Sequence, residues 1–131
     1  LDIVHLHWYK DSHTFAEGNM KGLPCMPDEH GHPELHEIEL GAVLAAIADP
    51  LRRHVVATLA RLPEEAERTC ASFGFPVSKA SLTHHFKVLR HAGLIQQVDR
   101  GNSRAATLRR RDLEARFPGL LTIVMMEEAS D

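Results

Sequence analysis

The stretch SKASLTHHFKVLRHAG at residues 78–93, followed at once by LIQQVDRGNSRAATL at 94–108, constrains this chain more than any other. Its first part predicts one capped helix. Ser78 can serve as N-cap, because its hydroxyl can accept from a free backbone N–H of the first turn. Gly93 sits where the chain needs a left-handed residue to leave the helix. Between them Leu82, Phe86 and Leu89 recur at the four- and three-residue steps of one helical face. Lys79, Ala80, Thr83, His84 and Lys87 point the other way, with Arg90 on the flank. Cations, short hydroxyl donors and a small methyl suit phosphate oxygens and base edges. Beyond the glycine, short runs at 95–98 and 104–108 flank the turn signal Arg100-Gly101-Asn102-Ser103. They predict a β-hairpin with an arginine, Arg100 or Arg104, on each side of its tip. A presented helix joined to a basic hairpin predicts a winged helix-turn-helix, mainly α with a small β-hairpin.

The net charge of −3 on its own argues against a nucleic-acid partner. Its distribution points the other way. Residues 1–49 hold two Lys/Arg against nine Asp/Glu, residues 77–111 hold eight Lys/Arg against one Asp, and residues 112–131 return to a balance of −4. An acidic frame around a basic middle is a localised field, and local fields rather than totals steer DNA. At 131 residues there is room for one small domain with one core. No apolar run approaches the ~20 residues of a membrane span. The start lacks a basic region leading into an apolar one, against a secretory signal. Two cysteines without framework spacing fit a reducing cytosol. The expectation is a cytoplasmic protein.

The order of the remaining segments follows from their punctuation. Residues 1–33 show no sustained period and are broken by Gly18, Gly22, Pro24, Pro27, Gly31 and Pro33, so they read as an N-terminal arm. The chain opens on Leu, and Met20 or Met26 could be a natural start. Residues 1–19 are therefore either upstream sequence or a segment whose Val4, Leu6, Trp8 and Phe15 pack on a partner subunit. Residues 34–131 form the domain. Residues 34–48 predict a helix with Leu40, Leu44 and Ile47 on one side and Leu35 and Ile38 at its entry. Asp49-Pro50 ends it and starts the next, with the aspartate as cap and the proline at the first helical position. Residues 50–62 bury Leu51, Val55, Leu59 and Leu62, with Arg52 and Arg53 near the start. After a turn at 63–66, residues 67–75 are expected to be the first helix of the helix-turn-helix, with Phe73 and Phe75 feeding the core. Past the hairpin, Asp112 is expected to cap a short helix over 113–117. Pro118-Gly119 breaks it, and Leu120, Leu121, Val124 and Met125 begin a last, apolar helix that suits a subunit interface.

Residues 48–108 resemble the ArsR (ArsR/SmtB-type) family of bacterial transcriptional repressors. The resemblance rests on LAAIADPLRR at 44–53, on LTHHFKVLRHAGL at 82–94, and on the hairpin with Arg100 and Gly101. The middle piece is similar to the family pattern S-x-H-L-x-x-L-x-x-A-G-L, with Thr83 in the serine place. The resemblance covers roughly half the chain. It implies a homodimer joined through first and last helices, which would bind an inverted-repeat operator in double-stranded DNA and be released by an inducer. Two recognition helices would then meet successive major grooves about 34–36 Å apart. Lys79, Thr83 and His84 are the candidates for base edges, and Ser81 joins the DNA-binding set. Lys87, Arg90, Arg100 and Arg104 suit phosphates or the minor groove. Arg52 and Arg53 lie where the family approaches the backbone, although a plain surface role serves them equally. Arg109-Arg110-Arg111 either extend the footprint or follow the wing as solvated charge. His85, beside the apolar stripe, is expected to pack or bond locally.

The inducer is the harder question. The family's Cys-x-Cys metal pair would fall at 68–72, RTCAS, which holds one cysteine. Its Asp/His site on the last helix cannot be carried over either, because residues 112–131 contain no histidine. A divalent metal could instead be wrapped by His30, His32 and His36, with Cys25 close in sequence. A thiol switch could use Cys25 and Cys70, where a helix N-terminus and Arg68 would lower the thiol pKa. The bland readings are chance clustering of histidines and a small buried hydrophobe at Cys70. An organic inducer also remains open. No nucleophile motif or glycine-rich phosphate loop suggests an enzyme. The rival class is a winged-helix protein-interaction module without DNA binding, whose exposed face should be acidic or apolar rather than basic.

Overall fold

The computed structural model describes residues 31–130. The expectations for Val4, Leu6, Trp8, Phe15, Cys25 and His30 fall outside the described residues.

Among the described residues the fold holds five α-helices and a three-stranded antiparallel sheet. The first two, α1 (Leu40–Ala48) and α2 (Pro50–Arg61), are divided at Asp49-Pro50 as expected. Asp49 accepts from the Arg52 N–H at 3.0 Å, and proline lacks only an N–H that a first turn leaves unpaired. The expected single helix over 34–48 is corrected. A 3-10 turn, Leu35–Glu37, is separated from α1 by extended backbone at Ile38 and Glu39, which sinks Ile38 into the core. Within α1 the buried residues are Val43, Ala46 and Ile47. Leu40 and Leu44, expected on the same face as Ile47, are 47% and 46% exposed.

The stretch 67–75 is a second correction. Instead of a helix it holds strand β1 (Glu67–Thr69) and a 3-10 turn, Cys70–Phe73, closed by Gly74 in the left-handed region. Gly74 and Pro76 leave too few residues for a stable α-helix. Glu67, Arg68 and Thr69 pair instead with Thr107, Ala106 and Ala105. Phe73 and Phe75 still pack against the core as expected.

Next comes α3 (Lys79–Ala92), capped as the sequence implies: the Ser78 hydroxyl accepts from the Ser81 N–H at 3.1 Å. Gly93 leaves the helix at φ +88°, and a Cβ there would stand 2.7 Å from Ile38 Cγ1, so both backbone and space exclude other residues. Phe86 and Leu89 are buried and Leu82 half-buried, which anchors one face of α3 in the core. The wing follows as β2 (Ile95–Asp99) and β3 (Arg104–Leu108), with β3 central between β1 and β2. Gly101 turns its tip at φ +91°, and Asp99 accepts from the Gly101 N–H at 2.9 Å.

Helix α4 (Arg110–Arg116) starts three residues earlier than expected, and Asp112 does not cap it. The Asp112 carboxylate accepts from Arg109 Nε at 3.0 Å instead. The last helix, α5 (Leu120–Ser130), buries Leu121 and Val124 and leaves Ile123 and Met126 65% exposed. Both α1 and α5 pack on α2. Among the described residues no helix is long and apolar enough to cross a membrane.

Candidate nucleic-acid interface

Because the apolar stripe of α3 is anchored, its opposite face is set toward solvent. Lys79, Ala80, Thr83, His84 and Lys87 are all exposed. Ser81 is half-buried, with its N–H held in the cap. Arg90 is half-buried and donates to Gln97 Oε1 on β2, so the flank of α3 is tied to the wing. On the wing, Arg104 is exposed. Arg100 is bound to Glu67 by two hydrogen bonds, Nη2 to Oε2 at 2.7 Å and Nε to Oε1 at 3.2 Å. The guanidinium holds the Glu67 carboxyl below the usual carboxylate range, and the carboxylate in turn raises Arg100.

Several cations of the basic segment are committed to the fold. Arg110 donates to Leu59 O, Ala60 O and Leu62 O at the end of α2, at 3.2, 3.0 and 2.9 Å. Arg109 reaches Pro33 O at 2.6 Å as well as Asp112, and Arg111 pairs with Glu64 at 2.8 Å. Near the start of α2, Arg52 donates to Ala46 O at 2.7 Å and Arg53 to Ile47 O at 3.1 Å. These contacts satisfy carbonyls that a helix C-terminus leaves open. His85 Nδ1 accepts from Arg52 Nη1 at 3.3 Å, the local bonding expected of it.

Gln97 is a junction that sequence reasoning missed. It lies on β2, one of the two outer strands of the sheet, and its backbone N–H donates to His32 Nε2 at 3.0 Å. Its side chain accepts from Arg90 and donates to Cys70 Sγ at 3.5 Å. A glutamine in a hairpin strand carries no sequence signal for such a role. Cys70 does not have the lowered pKa expected of it. Burial pushes the thiol up, outweighing the opposing effects of Gln97 and Arg104. The Arg68 guanidinium lies over the Phe73 ring and bonds Ser72. His32 is buried with Nε2 already accepting, whereas His36 is exposed. Among the described residues no three His, Cys, Asp or Glu side chains gather as a metal-holding group. A cleft of about 250 Å³ between the 63–66 turn, β3 and α4 is lined in part by Arg109, Arg110 and Arg111, whose guanidiniums are already bound.

The fold has a counterpart among solved structures. The crystal structure of an ArsR family transcriptional regulator superposes with a TM-score of 0.53 and 24% identity, over 68% of this chain and 96% of that one. The chain has the ArsR-type fold. An ArsR-like transcriptional regulator from Rhodococcus sp. RHA1 shows a TM-score of 0.48 and 22% identity, over 70% of this chain and 84% of its own. No family model matches the chain, and no curated protein does. Within this fold α3 leads through Gly93 directly into the β2–β3 hairpin, the wing.

Proposed function

We propose that this chain is a DNA-binding transcriptional regulator, a cytoplasmic repressor that acts as a homodimer on an inverted-repeat operator and is released by an inducer. The observation that carries the reading is the outward face of α3. Lys79, Thr83, His84 and Lys87 stand exposed on it while Phe86 and Leu89, on the same helix, are buried. A rigid helix with an anchored back and a cationic, hydroxyl-bearing front suits a major groove. Lys79, Thr83 and His84 would lie toward base edges, with Ser81 beside them in the DNA-binding set. Lys87, Arg90, Arg100 and Arg104 would lie toward phosphates or the minor groove.

Exposed leucines on α1, with Ile123 and Met126 on α5, support a second copy of this chain as the partner. Both helices pack on α2, and the proposed partner would cover their exposed residues. The inducer is a thiol oxidant, a metal ion or an organic ligand. The first would act at Cys70 with Cys25, the second at His30, His32 and His36.

An operator selected from random-sequence duplexes, titrated by fluorescence anisotropy over a range of salt, tests the reading. The logarithm of the binding constant should fall linearly with that of salt, by about 0.9 per phosphate neutralised. Lys87→Ala should weaken binding to all sequences alike and reduce that slope by about one per site. A protein that retains no duplex at low salt would end the proposal. Gel shifts of the same complex with zinc, nickel, arsenite or peroxide, and with Cys70→Ser and His32→Ala, identify the inducer class.

A further inference from the structure

Arg100 follows β2 and Glu67 belongs to β1, and β3 lies between those strands. Their bidentate contact therefore draws the Arg100 side chain back across the sheet, away from the turn of the wing. The pair is open to solvent, with the two side chains 54% and 41% exposed. Asp99, the acid nearest the tip, is occupied in shaping the turn through the Gly101 N–H. We propose that Glu67 is a built-in stand-in for a DNA phosphate, which occupies Arg100 in the free protein and so sets the affinity of the wing for a duplex. The inference rests on the DNA-binding reading above.

The chemistry is one of like acceptors. A carboxylate and a phosphate offer a guanidinium the same two-oxygen geometry. For Arg100 to meet a duplex, it must exchange Glu67 for phosphate oxygens, or carry Glu67 with it into the field of the backbone. Both routes set the carboxylate against binding. Exposed ion pairs are weak enough for such an exchange to occur readily. The wing is then tempered, with a cation that is spent internally until a denser anion competes for it.

Full-length wild type, Glu67→Gln, Arg100→Gln and the double variant would be titrated against one labelled mixed-sequence duplex spanning two half-sites. Glu67→Gln should bind about two- to five-fold more tightly, the range that weak exposed pairs allow. That gain should shrink as added salt screens the carboxylate. It should also shrink in the Arg100→Gln background, where no pair remains to be broken. Thermal melts establish that the variants fold, and Glu67→Thr, suited to a strand, repeats the measurement. Wild-type binding with Glu67→Gln equal or weaker would overturn the inference alone, as would a gain unaltered by loss of Arg100. Wild type that retains no duplex would overturn the DNA-binding reading and the inference together.

Discussion

The guanidinium of Arg110 reaches three carbonyl oxygens at the end of α2 from a position that, in sequence, is one of three consecutive arginines after the wing. In sequence that run suggests either a larger footprint or solvated charge. The structure gives Arg110 neither role. It closes a helix, and its neighbours bind Pro33 O, Asp112 and Glu64. The pairing was illegible because it needs the end of α2 and the start of α4 to meet, which no local pattern reports. Arg110→Met keeps most of the side-chain volume and removes this donor from the Ala60 and Leu62 carbonyls, whereas Leu59 O keeps the Leu62 N–H. Unfolding in urea should show a loss of about 1–3 kcal/mol, the cost of buried polar groups left unpaired. The midpoint should move while the slope with denaturant stays constant. By contrast, Ser78, Gly93 and the Asp49-Pro50 boundary were legible, because a cap or a left-handed turn is decided by residues a few positions apart.

Helices and strands divide along the same line. The periodic, capped α3 and the turn-centred hairpin were readable because their own residues suffice to specify them. Residues 67–75 were not. Their strand exists only because β3 offers a free edge, and Gly74 stops the helix that propensity alone would begin. The strap at 31–33 likewise acquires its role from outside. His32 covers the outward N–H of Gln97 on the exposed edge of β2, and a Cβ at Gly31 would sit 2.5 Å from the His91 ring. His91 feels this packing. Burial lowers its pKa first, and the charges of Arg90, Lys87 and His32 lower it further. A histidine so depressed stays neutral in the native state when the unfolded chain already takes up a proton. Nothing is lost above the ordinary histidine value of about 6.5. As pH falls below it, stability should decline, and it should level off once pH passes under the depressed native value. The ring is largely exposed, so solvent keeps the effect small. Melting temperatures from neutral pH down to about 5 should fall less steeply for His91→Gln than for wild type. Parallel curves would show that His91 does not contribute.

For the molecule as a whole, the core accounts for one side of each terminal helix and leaves the other unexplained. Val43, Ala46 and Ile47 of α1, and Leu121 and Val124 of α5, are buried in the chain, while Leu40, Leu44, Ile123 and Met126 lie open. Scattered exposed apolar residues are ordinary, but here they fall on the first and last helices, both packed on α2. The sequence pattern marked Leu40, Leu44 and Ile47 as one apolar face without showing which partner takes it. The fold separates them: Ile47 turns to the core and the leucines to solvent. In the proposed dimer those leucines would meet the second copy, and joining two recognition helices would make the second half-site contact effectively intramolecular. Leu44→Glu combined with Met126→Glu should place charge in that contact without touching the core. Sedimentation should then give the mass of one chain, with the helix content unchanged. Affinity for an inverted repeat should fall by about a hundredfold or more, toward that of a single half-site, because the linkage that multiplies the two contacts is gone. Affinity for an isolated half-site should be untouched, since α3 and the wing are intact. A double variant that stays dimeric, or a monomer that still distinguishes the repeat from its half, would place the partner surface elsewhere than on α1 and α5.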